Sequence, residues 1–223
     1  MTAKRPAIVG APAETAFVLR HTTVQPVPLV PEISLHLAED AFTVWEDTER
    51  HADRAEQPPP FWAAAWPGGQ ALARYLLDHP EHVAGRRVLD LGSGSGLAAI
   101  AAARAGASAV LASETDRFAH AAILLNAAAN EVSVPVTADV LDGSGGDAEV
   151  VLAADVWYER SLAARSLGLL QRARARGADV LVGDIGRAFL PRPLLRELAA
   201  YDVPVSAELE GAAIKRALIL ALR

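Results

Sequence analysis

Residues Arg86 to Gly96 read Arg-Arg-Val-Leu-Asp-Leu-Gly-Ser-Gly-Ser-Gly, and an alanine-rich segment opens at once from Leu97. A short apolar run, three alternating glycines and a helical pattern predict a strand, a tight loop and a helix N-terminus in succession. Glycines there let a ligand approach the backbone closely, and the helix start offers unpaired N–H groups. Gly92, Gly94 and Gly96 are spaced G-x-G-x-G. The G-x-G-x-x-G of dinucleotide binders differs, which disfavours a dinucleotide oxidoreductase. The acidic Asp90 stands just before the loop. The bland alternative is a glycine-rich turn in some other α/β protein.

The rest of the chain alternates strand and helix around that loop. Strands are predicted over 88–91, 109–113, 134–138, 149–154 and 179–182, and helices over 97–105, 118–130, 159–176 and 193–200. Strands separated by helical patterns mean βαβ units and a mostly parallel sheet. The last two strands, 203–209 and 217–222, have only Glu210 to Arg216 between them. That is too short for a helical crossover, so they pair antiparallel as a hairpin. A helix from Gln70 to Leu77 precedes the first sheet strand. Upstream, 33–37 and 41–45 read as short strands, 17–30 as an extended segment, 1–13 as a tail and 46–60 as a Pro-rich loop. The expectation is a tail and extended segment over residues 1–30, followed by one α/β domain over 31–223 with a seven-stranded sheet.

Composition narrows the function. The chain has 223 residues, enough for a full α/β core. Its net charge of −6 argues against nucleic acid as the main partner, because phosphate backbones call for a basic face. Arg172, Arg174 and Arg176 read as solvated residues favourably placed at a helix end. The absence of cysteine excludes disulfides and thiolate metal sites. The histidines are scattered, so no metal site is expected. No apolar run is long enough to span a membrane, and residues 1–10 lack a signal-peptide layout. A cytoplasmic protein with neither membrane nor nucleic acid as partner is the expectation.

The strand, glycine loop and Asp90 together resemble motif I of the class I S-adenosylmethionine (SAM) methyltransferases. Seven strands ending in an antiparallel hairpin resemble the Rossmann-like sheet of that class. In such sheets ligands sit beyond the carboxyl ends of the strands, at the switch in strand order. The first strand brings Asp90, Gly92, Ser93, Gly94 and Gly96. The second ends at Glu114, roughly 20 residues past the glycines, where a ribose-binding acid is expected. Asp116 competes for that role but sits where a helix N-cap is wanted. The third ends at Asp139 and Val140, an acid for the adenine amino group and a backbone N–H for a ring nitrogen; a plain loop carboxylate is the alternative. The fourth ends at Ala154 and Asp155, a small residue near the sulfonium and an acid facing the reacting centre. Trp66 is a candidate wall for the cation, with core packing as the alternative for it and for Trp62.

Two further blocks sharpen the resemblance. Residues 58–72 read Pro-Pro-Pro-Phe-Trp-Ala-Ala-Ala-Trp-Pro-Gly-Gly-Gln-Ala-Leu, and Asp155-Val156-Trp157-Tyr158 follows the fourth strand. With residues 88–96 they resemble the lysine methyltransferases that act on the β-subunit of electron-transfer flavoprotein, part of a wider seven-strand group with an Asp-x-x-Tyr motif. Val30 to Ile33 and Gly183 to Arg187 look like the same subfamily. The resemblance implies SAM as cofactor and a protein lysine as acceptor. It puts Asp155 and Tyr158 at the substrate amine, and Asp90, Gly92, Gly94, Gly96, Glu114 and Asp139 around SAM. The family often has Asp where Glu114 stands and Pro where Ile185 stands, and the tail after Glu210 matches poorly. Asp155 can also be read as the N-cap of the helix near Glu159. Other expectations from the same site are a methyltransferase for a small amine or a ribosomal protein, and a SAM-binding protein without turnover. Ser93 and Ser95 have no nearby histidine in sequence, which disfavours serine-nucleophile chemistry.

Overall fold

The computed structural model describes residues 12–52, 59–141, 143, 145–206 and 210–223. The expectations for residues 1–11, 53–58 and 207–209 lie outside that range. The chain runs α1 (Pro12–His21), β1 (Thr23–Val27), β2 (Val30–Leu37), α2 (Ala41–Ala52), α3 (Pro67–Asp78), β3 (Arg87–Leu91), α4 (Leu97–Arg104), β4 (Ala109–Ser113) and α5 (Arg117–Ala129). It continues with β5 (Val136–Thr137), β6 (Val150–Ala154), α6 (Arg160–Ala175), β7 (Asp179–Asp184), β8 (Leu195–Pro204) and β9 (Ile214–Leu222).

The main sheet has seven strands in the order β5-β4-β3-β6-β7-β9-β8. Strands β3, β4, β5, β6 and β7 are parallel, whereas β9 runs antiparallel to both β7 and β8. This is the expected mostly parallel sheet with a C-terminal antiparallel hairpin. Order reverses between β3 and β6, so their carboxyl ends open the crevice in which ligands bind such sheets.

Alternation along the strands builds a core on each face. Val88, Val110, Val150, Leu152, Leu181 and Ile219 pack under α3 and α4. Leu89, Leu91, Val151, Ala153, Val180 and Val182 pack under α6. Helix α4 is almost all alanine on its buried side, with Ala99, Ala101 and Ala102 fully buried. Small side chains let it lie close to both the sheet and α3.

Several local expectations are corrected. Residues 41–45 begin helix α2 rather than a strand, with Val44 and Thr48 buried one turn apart. The partner of β2 is instead β1, in an antiparallel hairpin. Residues 17–21 belong to helix α1, whose Phe17 and Val18 pack on Phe118 and Leu125 of α5. Residues 195–200 form the start of β8 rather than a helix. Leu194, Leu195 and Leu198 imitate a helical stripe, but the long ladder to β9 supplies hydrogen bonds that a short helix between Pro193 and the sheet edge lacks. The third parallel strand shrinks to Val136–Thr137, and β8 ends at Pro204.

Asn126 and Asn130 of α5 tie the β1–β2 hairpin to the domain. The His36 N–H donates to Asn126 Oδ1 at 2.7 Å, and Asn126 Nδ2 donates to the Ser95 carbonyl at 2.7 Å. Asn130 accepts from the Ser34 N–H and donates to the Ser34 carbonyl.

Candidate active site

A cavity of about 440 Å³ lies at the switch point, bounded by the ends of β3, β4 and β6 and by the aromatic segment before α3. The glycine loop forms its floor. Gly92, Gly94 and Gly96 have φ of 63°, 53° and 83°, a region that glycine alone occupies freely. Gly92, Ser93 and Gly94 line the cavity. Gly96 does not: it turns the chain into α4 beneath the wall, where an added Cβ would stand 3.2 Å from Ile123.

Asp90 is 2% exposed, and its Oδ2 accepts from Ser93 Oγ at 2.5 Å and the Ala99 N–H at 3.1 Å. It fastens the loop to the first turn of α4. Burial pushes its carboxyl up to about 7, against the pull of those two donors and with help from the Glu114 charge. Glu114 Oε2 accepts the Gly94 N–H at 2.9 Å, and Oε1 accepts the Thr115 N–H at 2.6 Å. Asp116 caps α5 by accepting the Phe118 N–H at 2.8 Å. Asp116 is thus the N-cap, and Glu114 is left as an acid lining the cavity.

Asp139 lines the cavity but is engaged elsewhere, by the Leu141 N–H at 2.8 Å and Arg165 at 2.7 Å. Those partners hold its carboxyl below the ordinary value, the Leu141 N–H foremost. Val140 is not on the wall, and Leu141 stands there instead. Trp66 lines the mouth with its indole N–H on the Phe61 carbonyl at 2.7 Å, whereas Trp62 is 1% exposed and packs among α5 residues.

Ala154 and Asp155 end β6 at the cavity. Asp155 has φ 55°, a left-handed conformation that turns its carboxylate toward α3. Oδ2 accepts the Gly69 N–H at 2.9 Å, and Oδ1 lies 3.4 Å from Arg187 Nη2. Asp155 is not an N-cap, because Glu159 caps α6 through the Ser161 and Leu162 N–H groups. Burial, with Asp184 and Glu210 nearby, pushes the Asp155 carboxyl up to about 7 despite Arg187 and the Gly69 N–H. This close seating of α3 depends on glycine: a Cβ on Gly68 would collide with the Gly183 carbonyl and the Asp155 carboxylate, and one on Gly183 with the Gly68 carbonyl. Tyr158 is 44% exposed at the mouth, its ring 5.1 Å from Phe61. Partial burial and the charges of Glu114 and Glu159 raise its phenol above the ordinary value, so it remains a neutral donor.

Ser166, Arg187 and Glu210 are among the lining residues to which the sequence assigned no role. Ser166 is fully buried in α6, and its Oγ has no partner among the described residues. Arg187 bridges Asp155 to Glu210, with Nη2 3.0 Å from Glu210 Oε1. Arg187 stood in a recognised block without a role, and Glu210 opened the tail that matched poorly. Ser166 left a trace in sequence as a hydroxyl on the buried side of a helix.

Among the described residues on the wall, six acids (Asp90, Glu114, Asp116, Asp139, Asp155 and Glu210) face one basic side chain, Arg187. Such a cleft favours a cation. Its volume falls in the range of cofactor sites, and the buried Ser166 hydroxyl in its wall has no partner among the described residues. These features fit SAM, a sulfonium carrying a polar nucleoside. Among the described residues no His/Cys/Asp/Glu group has metal-binding geometry. No helix among them is long and apolar enough to cross a membrane.

Known proteins agree with that fit. The family model for the ribosomal protein L11 methyltransferase (PrmA) matches residues 71–156. The electron transfer flavoprotein beta subunit lysine methyltransferase of Xenopus laevis is 40% identical over 214 residues, covering 93% of this chain and 86% of that protein. The same-named protein of Danio rerio is 39% identical over 203 residues, covering 87% and 78%. Magnesium protoporphyrin IX methyltransferase from Synechocystis shares the fold, with a TM-score of 0.53 at 13% identity over 82% of this chain and 96% of that one. The chain therefore belongs to the electron transfer flavoprotein beta subunit lysine methyltransferase family, as a SAM-dependent methyltransferase of the seven-strand class.

Proposed function

We propose that the acceptor is a lysine of the electron-transfer flavoprotein β-subunit, and that Asp155 and Tyr158 receive its amine. The observation that carries this reading is Asp155. It is a nearly buried carboxylate on the wall of the cavity, held by the Gly69 N–H, and Trp66, Phe61 and Tyr158 line the same cavity. The relatives' names support the substrate. The ribosomal-protein alternative draws on the match over 71–156, which stops short of Tyr158, and on a ribosomal protein L11 methyltransferase that aligns over 30% of this chain.

SAM, when bound, supplies an electrophilic methyl group on a sulfonium. The protein's task is to present a neutral amine in line with it. A lysine ammonium has a pKa of about 10.4 in water. Asp155, pushed up to about 7, is a far better match for its proton than an ordinary carboxylate. Asp155 accepts a hydrogen bond from the amine and aims its lone pair, while Tyr158 closes the outer side. The aromatic rings exclude water and favour the ammonium before it loses its proton. Glu114 keeps the glycine loop in shape through the Gly94 N–H, and Asp90 does so through Ser93 and Ala99.

The test is transfer of labelled methyl from SAM to purified electron-transfer flavoprotein and to a whole-cell extract, with Asp155→Asn as control. Label on the β-subunit that vanishes in the variant is the expected result. Label only on other proteins overturns the substrate. No label in either sample, with SAM bound, overturns the catalytic reading.

A further inference from the structure

We propose that Asp155 and Glu210 form a two-carboxylate seat for the acceptor amine, that Arg187 is its internal occupant, and that an incoming lysine ammonium enters by displacing that guanidinium. This rests on the reading of Asp155 as the acceptor site, and it adds Glu210 and Arg187 as positioning residues.

The first support is the layout of the hollows. A second hollow of about 360 Å³ opens on the outer side of the cavity, and the two share Tyr158, Arg187 and Glu210. Arg187 therefore stands between the outside and Asp155. An elongated side chain arriving through the outer hollow meets the guanidinium before it meets the carboxylate.

The surroundings are those of a cation site. The Asp155 and Glu210 side chains are 11% and 8% exposed, and both reach the same Nη2 atom. The guanidinium carbon lies 5.8 Å from the Trp66 ring, and Phe61 continues the aromatic wall. An alkylammonium has the same needs: carboxylates on one side and a π-face on the other.

The occupant holds Asp155 loosely, and its firmer contact is to Glu210 at 3.0 Å. The contact to Asp155 is 3.4 Å, longer than a good charge-assisted hydrogen bond, and Arg187 Nε is buried without a partner among the described residues. A guanidinium built in as a permanent brace would use its fork. The backbone is secured separately, since the Gly186 and Arg187 N–H groups both donate to Asp184 Oδ1. The side chain can swing out while the loop stays. Leaving without replacement would set Asp155, Asp184 and Glu210 against one another, so exchange for another cation is the favourable exit.

The test uses n-butylammonium, the bare lysine side-chain mimic, titrated by NMR into the full-length protein loaded with S-adenosylhomocysteine. Arg187→Gln is expected to bind it about tenfold more tightly than wild type, and Glu210→Gln about tenfold more weakly. In steady-state methylation of electron-transfer flavoprotein, Glu210→Gln is expected to raise the acceptor KM about tenfold with little change in kcat, while its SAM Kd stays within about twofold. A merely structural Arg187 predicts the reverse: Arg187→Gln loses butylammonium affinity, and kcat, KM and SAM Kd worsen together. No gain in Arg187→Gln, or unchanged acceptor KM and butylammonium binding in Glu210→Gln, overturns the proposal. If Arg187→Gln does not fold, the Glu210→Gln pair of measurements decides alone. Should wild type leave the flavoprotein unlabelled while the butylammonium pattern holds, the substrate assignment falls and the seat stands.

Discussion

Replacing Asp155 with asparagine removes one charge and nearly preserves shape. The left-handed backbone at this position suits Asn as well as Asp, so the strain is unchanged. Burial raises the carboxyl from an ordinary value of 3.8 to about 7. A raised folded-state pKa means that the folded protein favours the protonated acid over the ionised one. The stability contributed by the neutral form is full below 3.8 and is lost as pH rises through 7. A gap of about three units at about 1.36 kcal/mol each amounts to about 4 kcal/mol at pH 8. Asparagine, always neutral, escapes that cost. Allowing half of it to be relaxed by water and side-chain movement, Asp155→Asn is expected to be more stable than wild type by about 2–4 kcal/mol at pH 8, a Tm rise of roughly 5–15 °C. At pH 5 the advantage falls to about 1–2 kcal/mol. Asp90, also raised to about 7, titrates in both proteins and cancels from the difference. Thermal unfolding followed by circular dichroism at the two pH values reads the effect, and labelled-methyl transfer should be lost in the same variant. A lower Tm for the variant at pH 8, or a difference independent of pH, refutes the reasoning.

Two more outcomes follow from unpaired and shared polar groups. Ser166→Ala should weaken SAM about three- to tenfold by calorimetry while leaving the Tm of the ligand-free protein unlowered, because no hydrogen bond within the protein is lost. Unchanged SAM affinity would remove Ser166 from the site. Asn126→Ala should cost about 2–4 kcal/mol in urea unfolding, since the His36 N–H and the Ser95 carbonyl both lose their partner. A loss below 1 kcal/mol would mean that water replaces the amide, a limit set by the roughly 1 kcal/mol typical of one hydrogen bond.

What the sequence made legible was local. Strand β3, its glycine loop and α4 are contiguous, and the positive φ of Gly92 and Gly94 is a property of their own residue type. Glu114 followed from the spacing of one βα unit, and its bond to the Gly94 N–H spans only that unit. The failures belong to the periphery and to long-range encounters. Residues 41–45 and 195–200 carry apolar patterns that either period can accommodate, and only the neighbours, α5 or strand β9, decide between them. Arg187 reaches Asp155 and Glu210 reaches Arg187 from separate parts of the chain, so no spacing announces their meeting. Val140 was placed on the wall by counting from a strand that proved two residues long. Asp139, placed by the same count, does line the cavity.

The contact between Gly68 and Gly183 has a consequence for how this enzyme tolerates change. Two main chains meet there with no side chain between them, and the Asp155 carboxylate rests against the same point. Neither position can gain even one carbon unless the other element retreats, and α3 cannot retreat without taking the Gly69 N–H from Asp155. The alphabet at both positions thus has a single letter, enforced by geometry at a spot that chemistry never touches. Mutational scanning would find there two silent-looking residues as unforgiving as the acid itself.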